Sequence, residues 1–326
     1  MNHPVLNALL PVVLLIAIGF VSGRTKIISA SGVKDLSNLV FMVVLPALLF
    51  RTMAQVRPEA VNAASLLAYF GALWLLFGAT MAVVGFTRRG AVLALATTFS
   101  NSVMMGIALI GIAYGSAGLA VLLPIVSLHA LVMLTMATIV LEFALLREQG
   151  NAVVNAGHHG VATAPLQRPP VWRTVWQAAR NAIIHPVPLP IICGLLFAQT
   201  GLSLPQVIDK PMQLLGQSFS PLALILVGIT LAQGAPLRHL RSALWISAAK
   251  NLLLPAMVAA LGWALGLRGL PLSVVIVTAS LPIGANVFLF SQRYQVAEEL
   301  VTASMAVSTV LALPTVALVM WLVQYV

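Results

Sequence analysis

Seven residues in two interrupted stretches and one neighbouring span carry the chemistry of this chain. Asn101, Ser102 and Gly106 lie in Ser100-Asn101-Ser102-Val103-Met104-Met105-Gly106, and Pro282, Gly284 and Asn286 lie in Leu281-Pro282-Ile283-Gly284-Ala285-Asn286. The seventh is Lys250. Proline, glycine and asparagine interrupt helices and leave backbone N–H and C=O groups unpaired. Where a half-helix begins, its free N–H groups and partial positive charge suit a carboxylate. An asparagine amide can donate to a carboxylate oxygen and accept from a neighbouring N–H. These residues are therefore candidates for binding a small organic anion, with Ser100 and Ser280 as further hydroxyls. The competing reading of Asn101 and Asn286 is interhelical hydrogen bonding without a ligand.

Lys250 is the one basic residue well inside an apolar span. A lysine at a helix centre costs about 2.5–3.5 kcal/mol on insertion scales, so it either attracts an anion in the pathway or uses its long stem to reach an interface or brace a helix. His129, in mid-span, reads as a proton relay or as a hydrogen-bonded packing residue, and Glu142, five residues before Arg147, as an interfacial charge. No span holds two acids near its centre, which argues against a carboxylate-based proton exchanger. Sodium coupling stays open, because unwound carbonyls and Asn, Ser or Thr oxygens can coordinate it.

Other chemistry is poorly supplied. Cys193 is the lone cysteine, so neither an intramolecular disulfide nor a multi-cysteine metal site can form. His158 and His159 adjoin one another but lack the spaced partners of a metal site. Neither H-E-x-x-H nor G-x-S-x-G occurs. The expectation is a protein without metal or cofactor, and not an enzyme.

The elements that position these residues follow from composition. With 60% apolar and 7% charged residues and a mean hydropathy of +1.04, the solvent for folding is lipid. At roughly 20 residues per crossing, the chain reads as about ten transmembrane helices, near 4–22, 36–54, 62–86, 91–112, 117–146, 181–200, 212–233, 242–266, 272–291 and 297–324. The first lacks the flanks of a signal peptide and is expected to be retained. Both interrupted stretches fall inside spans, the fourth and the ninth. Non-helical backbone at that depth must be buried in protein or line a water-filled cavity. Paired interruptions in corresponding spans of two halves point to a transporter's binding site.

The net charge of +10 reflects topology rather than nucleic-acid binding. Of the 17 basic residues, only Arg51, Arg57, Lys210 and Arg268 fall on one side and twelve fall on the other, among them Arg24, Arg88, Arg147 and Arg293. Basic residues accumulate in cytoplasmic loops, so both termini are expected outside and the 147–180 linker in the cytoplasm. The linker separates two five-span halves, 1–146 and 181–326, that enter from opposite sides. His3-Pro4-Val5 matches His185-Pro186-Val187, Pro46 matches Pro221 as a break in the second and seventh spans, and Arg88 matches Arg268, all near an offset of 180 residues. The expected fold is an all-α membrane protein in a 5+5 inverted repeat. Gly111-x-x-x-Gly115 and Gly262-x-x-x-Gly266 would allow close helix approach and permit a homodimer.

The whole chain resembles the auxin efflux carrier family. The resemblance rests on Ser100-Asn101-Ser102-Val103-Met104-Met105-Gly106-Ile107, on Leu281-Pro282-x-Gly284 with Phe288 and Tyr294, on Pro46, and on Lys250 with Pro255. It implies broken helices four and nine that cross beside the substrate site, within a transport domain moving against a scaffold domain. Bacterial members are associated with malonate and similar carboxylates. Ala108 and Asn286 stand at or near positions where plant carriers have prolines, and the long plant loop is replaced by about thirty residues, so auxin itself is not the expected substrate. The reading is an inner-membrane secondary carrier for a small carboxylate such as malonate, working by alternating access, with a passive anion channel or a sodium-coupled symporter as the alternatives. Direction of transport and coupling are not encoded in any motif.

Overall fold

The computed structural model describes residues 4–55, 62–157, 188–232 and 239–325, and their regular elements are helical. The helices are α1 (Pro4–Arg24), α2 (Ala30–Leu39), α3 (Leu45–Ala54), α4 (Ala63–Val84), α5 (Arg88–Thr98), α6 (Ile107–Gly157), α7 (Pro188–Gln199), α8 (Gln206–Ala232), α9 (Leu240–Ala248), α10 (Leu254–Ala264), α11 (Gly269–Ser280), α12 (Asn286–Tyr294) and α13 (Glu298–Leu322). Six helical segments are long and apolar enough to cross a membrane: Gly32–Ala54, Ala63–Val84, Ser102–His129, Gln206–Ala232, Leu240–Ala264 and Glu298–Tyr325. Among the described residues, shorter apolar helices, Leu10–Arg24, Thr135–Leu145, Leu189–Gln199 and Gly269–Ser280, lie within the stretches of others of the expected spans. Much of the linker, with His158, His159 and the His185-Pro186-Val187 motif, lies outside the described residues.

Two prolines expected to break their spans do not. α8 runs through Pro221 without interruption. Before Pro46 the helix widens into a π-helical turn, Val40–Val44, and continues as α3 with Pro46 in its first turn. A proline lacks an N–H and crowds the carbonyl one turn back, and a wider turn relieves that crowding without stopping the helix. Pro255 follows a second such turn, Ala249–Leu253, which contains Lys250.

The helices pack in two groups. α1, α3, α7 and α8 are bound mainly to one another, while α4, α5, α9, α10, α11 and α13 form a second set, and α6 touches both. Glycines hold the first group together. A Cβ at Gly19 would meet the Ile225 backbone, one at Gly228 the Ile16 and Phe20 backbones, and one at Gly194 the backbones of Phe50 and Ala54. Gly19-x-x-x-Gly23 thus packs α1 against α8 within the chain, the close approach that small residues permit in lipid. The glycines of the other two motifs have these places in the fold. Gly115 (φ +61°) turns the chain inside α6, Gly266 (φ +77°) follows the end of α10, and Gly262 packs on Leu272.

Charged residues cluster at the two ends of the bundle. Arg51 Nε and Asp209 are 2.7 Å apart at one end, joining α3 to α8. At the other, Arg88 donates to Glu148 at 2.6 Å and to the Tyr294 carbonyl at 3.3 Å, and the Tyr294 hydroxyl donates to Glu142 at 2.9 Å. Arg51 and Arg88, which the basic-residue asymmetry puts on opposite sides of the membrane, stand in these two separate clusters, and Glu142 belongs to the second of them.

Candidate functional site

The two interruptions meet. α5 ends at Thr98, Phe99 and Ser100 are extended, and the chain resumes in a π-helical turn, Ser102–Gly106, that leads into α6. α11 ends at Ser280, Leu281–Ala285 is non-helical, and α12 begins at Asn286. Ser100 and Ile283 form an antiparallel bridge: Asn101 N–H donates to the Pro282 carbonyl at 2.8 Å and Gly284 N–H to the Phe99 carbonyl at 2.9 Å. Each break thereby answers a polar group that the other break exposes, as burial away from water requires. Leu281 is extended (φ −62°, ψ 154°), the conformation that a following proline imposes.

Gly106 and Gly284 make this approach possible. A Cβ at Gly106 would lie 2.9 Å from the Leu281 side chain, and one at Gly284 2.8 Å from the Phe99 ring and 3.1 Å from the Ser100 carbonyl. Their role is contact between the breaks. Ser102 and Pro282 are buried beside them.

Lys250 is fully buried and its ammonium donates to the Ala279 carbonyl at 2.7 Å and the Leu281 carbonyl at 2.6 Å. It holds the carbonyl end of α11, where a cation is favoured by the aligned peptide dipoles. The side chain therefore braces the second break and does not snorkel. Next to it, Asn251 and Ser308 do a matching task for an N–H. Asn251 Nδ2 donates to the Ser308 carbonyl at 2.8 Å, the Ser308 hydroxyl donates to Asn251 Oδ1 at 2.8 Å, and Ile283 N–H donates to that hydroxyl at 3.0 Å. Sequence reading missed both residues. Asn251 had a signal, a second polar residue beside Lys250 in an apolar span; a lone serine such as Ser308 had none.

The first break has a neutral bracket. The buried Tyr69 hydroxyl lies 3.4 Å from the Ser100 hydroxyl and 3.4 Å from His129 Nδ1. The His129 ring stands against Phe99 with centroids 4.5 Å apart, and its Nε2 has no hydrogen-bond partner among the described residues. His129 is thus a packed, buried histidine beside the break.

A cavity of about 370 Å³ lies beside the crossing. Asn101 and Met104 line it from the first break, Ile283, Ala285 and Phe288 from the second, and Val227, Thr230 and Leu231 from α8. α13 closes it with Thr302, Met305, Ala306 and Thr309. Among the described residues, no lining side chain is charged. The hydroxyls of Thr230, Thr302 and Thr309 donate to Leu226, Glu298 and Met305 carbonyls at 2.9, 2.9 and 2.7 Å, which leaves them only acceptor capacity toward the cavity. The Asn101 amide on the lining and the N–H groups at the start of the helix that begins at Ser102, the first of which lack an acceptor one turn back, are candidate donors for an anion. Asn286 is half-buried at the start of α12 and is not among the lining residues. Of the seven expected site residues, Asn101 alone lines the cavity; Ser102, Gly106, Pro282 and Gly284 build the crossing, and Lys250 braces it.

The sequence profile of the family described as "Membrane transport protein" matches residues 4–320. The chain is 27% identical over 325 residues to a protein of Rhizobium meliloti (strain 1021) described as "Putative malonate transporter", covering 97% of this chain and 94% of that one. It is 22% identical over 350 residues to auxin efflux carrier component 8 of Arabidopsis thaliana, covering 96% and 95% of the two chains.

Proposed function

The chain belongs to the membrane transport protein family, that of the auxin efflux carriers, and from that premise we propose that it is a secondary carrier for a small organic anion, a carboxylate such as malonate. The observation that carries this reading is the crossing of two interrupted helices beside a cavity that the Asn101 side chain lines; Asn101 and the helix start at Ser102 would be its donors. A carboxylate would accept from these groups while the threonine hydroxyls, their hydrogens already engaged, stand around its remaining surface. The cavity lies between α8 of the glycine-packed group and the breaks and α13 of the other. Alternating access would follow if the second group moved against the first. The full-length similarity to the protein described as "Putative malonate transporter" supports the choice of substrate class.

Counterflow separates this reading from a channel. Proteoliposomes preloaded with unlabelled malonate should transiently accumulate external labelled malonate above equilibrium, and uptake should saturate. Linear flux without an overshoot would identify a passive pore. The same vesicles, with sodium and pH gradients imposed separately, report coupling.

The proposed architecture is the 5+5 inverted repeat, residues 1–146 and 181–326, in the inner membrane with both termini outside and 147–180 in the cytoplasm. With Cys193 replaced, Asn2→Cys should label with an impermeant thiol reagent in intact cells and Gly157→Cys should not. Labelling of both from outside would reverse the assignment of the linker.

A further inference from the structure

Leu231 and Ala306 close the crossover cavity on one side and on the other line a second concavity of about 640 Å³. This groove runs along α1, past Val13, Phe20 and Val21, and faces Leu244 of α9 and Val310 of α13. Among the described residues, all of its lining side chains are apolar. From Val13 to Val21 it follows α1 for about 12 Å at 1.5 Å per residue. It lies on the seam between the two helix groups, where α1 and α13 touch only sparsely.

The two ends of the groove differ in charge. α1 ends at Arg24, three residues beyond Val21, and Arg241 sits in the first turn of α9 between Leu240 and Leu244, both of which line the groove. Arg24 and Arg241 are exposed, and neither forms an ion pair with an acid among the described residues. The opposite end, near Val13 and Leu313, is flanked by Pro4–Val12 of α1 and Pro314–Leu322 of α13, neither of which contains a charged residue.

We propose that the groove binds an anionic phospholipid, with one acyl chain along α1 between α9 and α13 and the headgroup phosphate held by Arg24 and Arg241. An apolar concavity at membrane depth is filled favourably by hydrocarbon, and guanidinium groups at the membrane surface attract anionic headgroups and match phosphate geometry. Flat lipid-facing surfaces are apolar too; the pairing of a concavity with two unpaired arginines at one end distinguishes this place. The bound chain would also back Leu231 and Ala306, the wall of the crossover cavity. That consequence rests on the carrier reading, whereas the binding site does not.

Native mass spectrometry of the detergent-purified full chain, titrated with phosphatidylglycerol or phosphatidylcholine of identical acyl chains, tests the site without a transport assay. Wild type should retain one phosphatidylglycerol, with phosphatidylcholine about tenfold weaker. The double variant Arg24→Gln/Arg241→Gln should lose that preference, and Leu244→Trp, which fills the groove at an exposed position, should weaken both lipids. Glycerol 3-phosphate, a headgroup without chains, should not displace the lipid. Equal binding of the two lipids to wild type, or a preference that survives loss of both arginines, would overturn the proposal in favour of unspecific annular lipid. So would unchanged binding to folded Leu244→Trp. Displacement by glycerol 3-phosphate would replace it with a free-phosphate site.

Discussion

Lys250→Gln is expected to melt roughly 5–10 °C below the wild type, while the ratio of its apparent KM values for a monoanion and a dianion stays unchanged. The ammonium donates to two carbonyls at the end of α11 and is fully enclosed. A hydrogen bond to a charged group contributes about 1.5–3 kcal/mol, and glutamine replaces two such bonds by at most neutral ones. The loss falls on the break itself, so maximal transport should drop with stability. An ammonium in the pathway would act differently. Coulomb attraction scales with ligand charge, so its removal would raise KM more for the dianion. Arginine also discriminates: its larger guanidinium has no room in an enclosed site fitted to lysine and should not restore stability, whereas a pathway cation would be partly restored by it. The measurement is thermal unfolding together with the KM ratio in purified protein at fixed ionic strength and membrane potential. A shifted ratio in well-folded Lys250→Gln would move Lys250 from bracing the helix to meeting the substrate.

Asn101→Ala is expected to raise the apparent KM about ten- to hundredfold and to leave the melting temperature close to that of wild type. Its backbone makes the crossing through Asn101 N–H and the Pro282 carbonyl, a contact alanine keeps, while its side chain lines the cavity. The figure is one hydrogen bond to a charged carboxylate, about 1.5–3 kcal/mol. Asn286→Ala, outside the lining, should change KM by only a few-fold. Direct binding in proteoliposomes or detergent, with thermal unfolding as the control, separates the two. Equal effects of the two substitutions would give Asn286 a ligand contact as well, and an unchanged KM in Asn101→Ala would leave backbone N–H groups as the sole anion donors.

The sequence by itself determined that the solvent of this fold is lipid, that its regular elements are helices, and that two spans, around Asn101 and around Gly284, are interrupted. These features are written locally: apolar runs of a given length, and proline, glycine and asparagine placed where a membrane helix needs unbroken hydrogen bonding. The basic-residue asymmetry separated Arg51 from Arg88, but their pairing with Asp209 and Glu148 was not legible in the sequence. Tertiary structure decided which polar group answers which. Lys250 looked equally suited to an anion, an interface or a helix end, because a lysine's reach covers all three; only the position of α11 puts two carbonyls at its ammonium. Gly106 and Gly284 looked like ligand-contact positions and became the surfaces of a backbone crossing, since what a missing Cβ admits depends on the facing chain. Pro46 and Pro221 carry the same local signal as Pro282, yet their helices continue, at Pro46 after a π-helical turn that relieves the crowding and at Pro221 without interruption. A break forms at Pro282 because Phe99, Asn101, Ser308 and Lys250 wait there to satisfy the backbone it exposes.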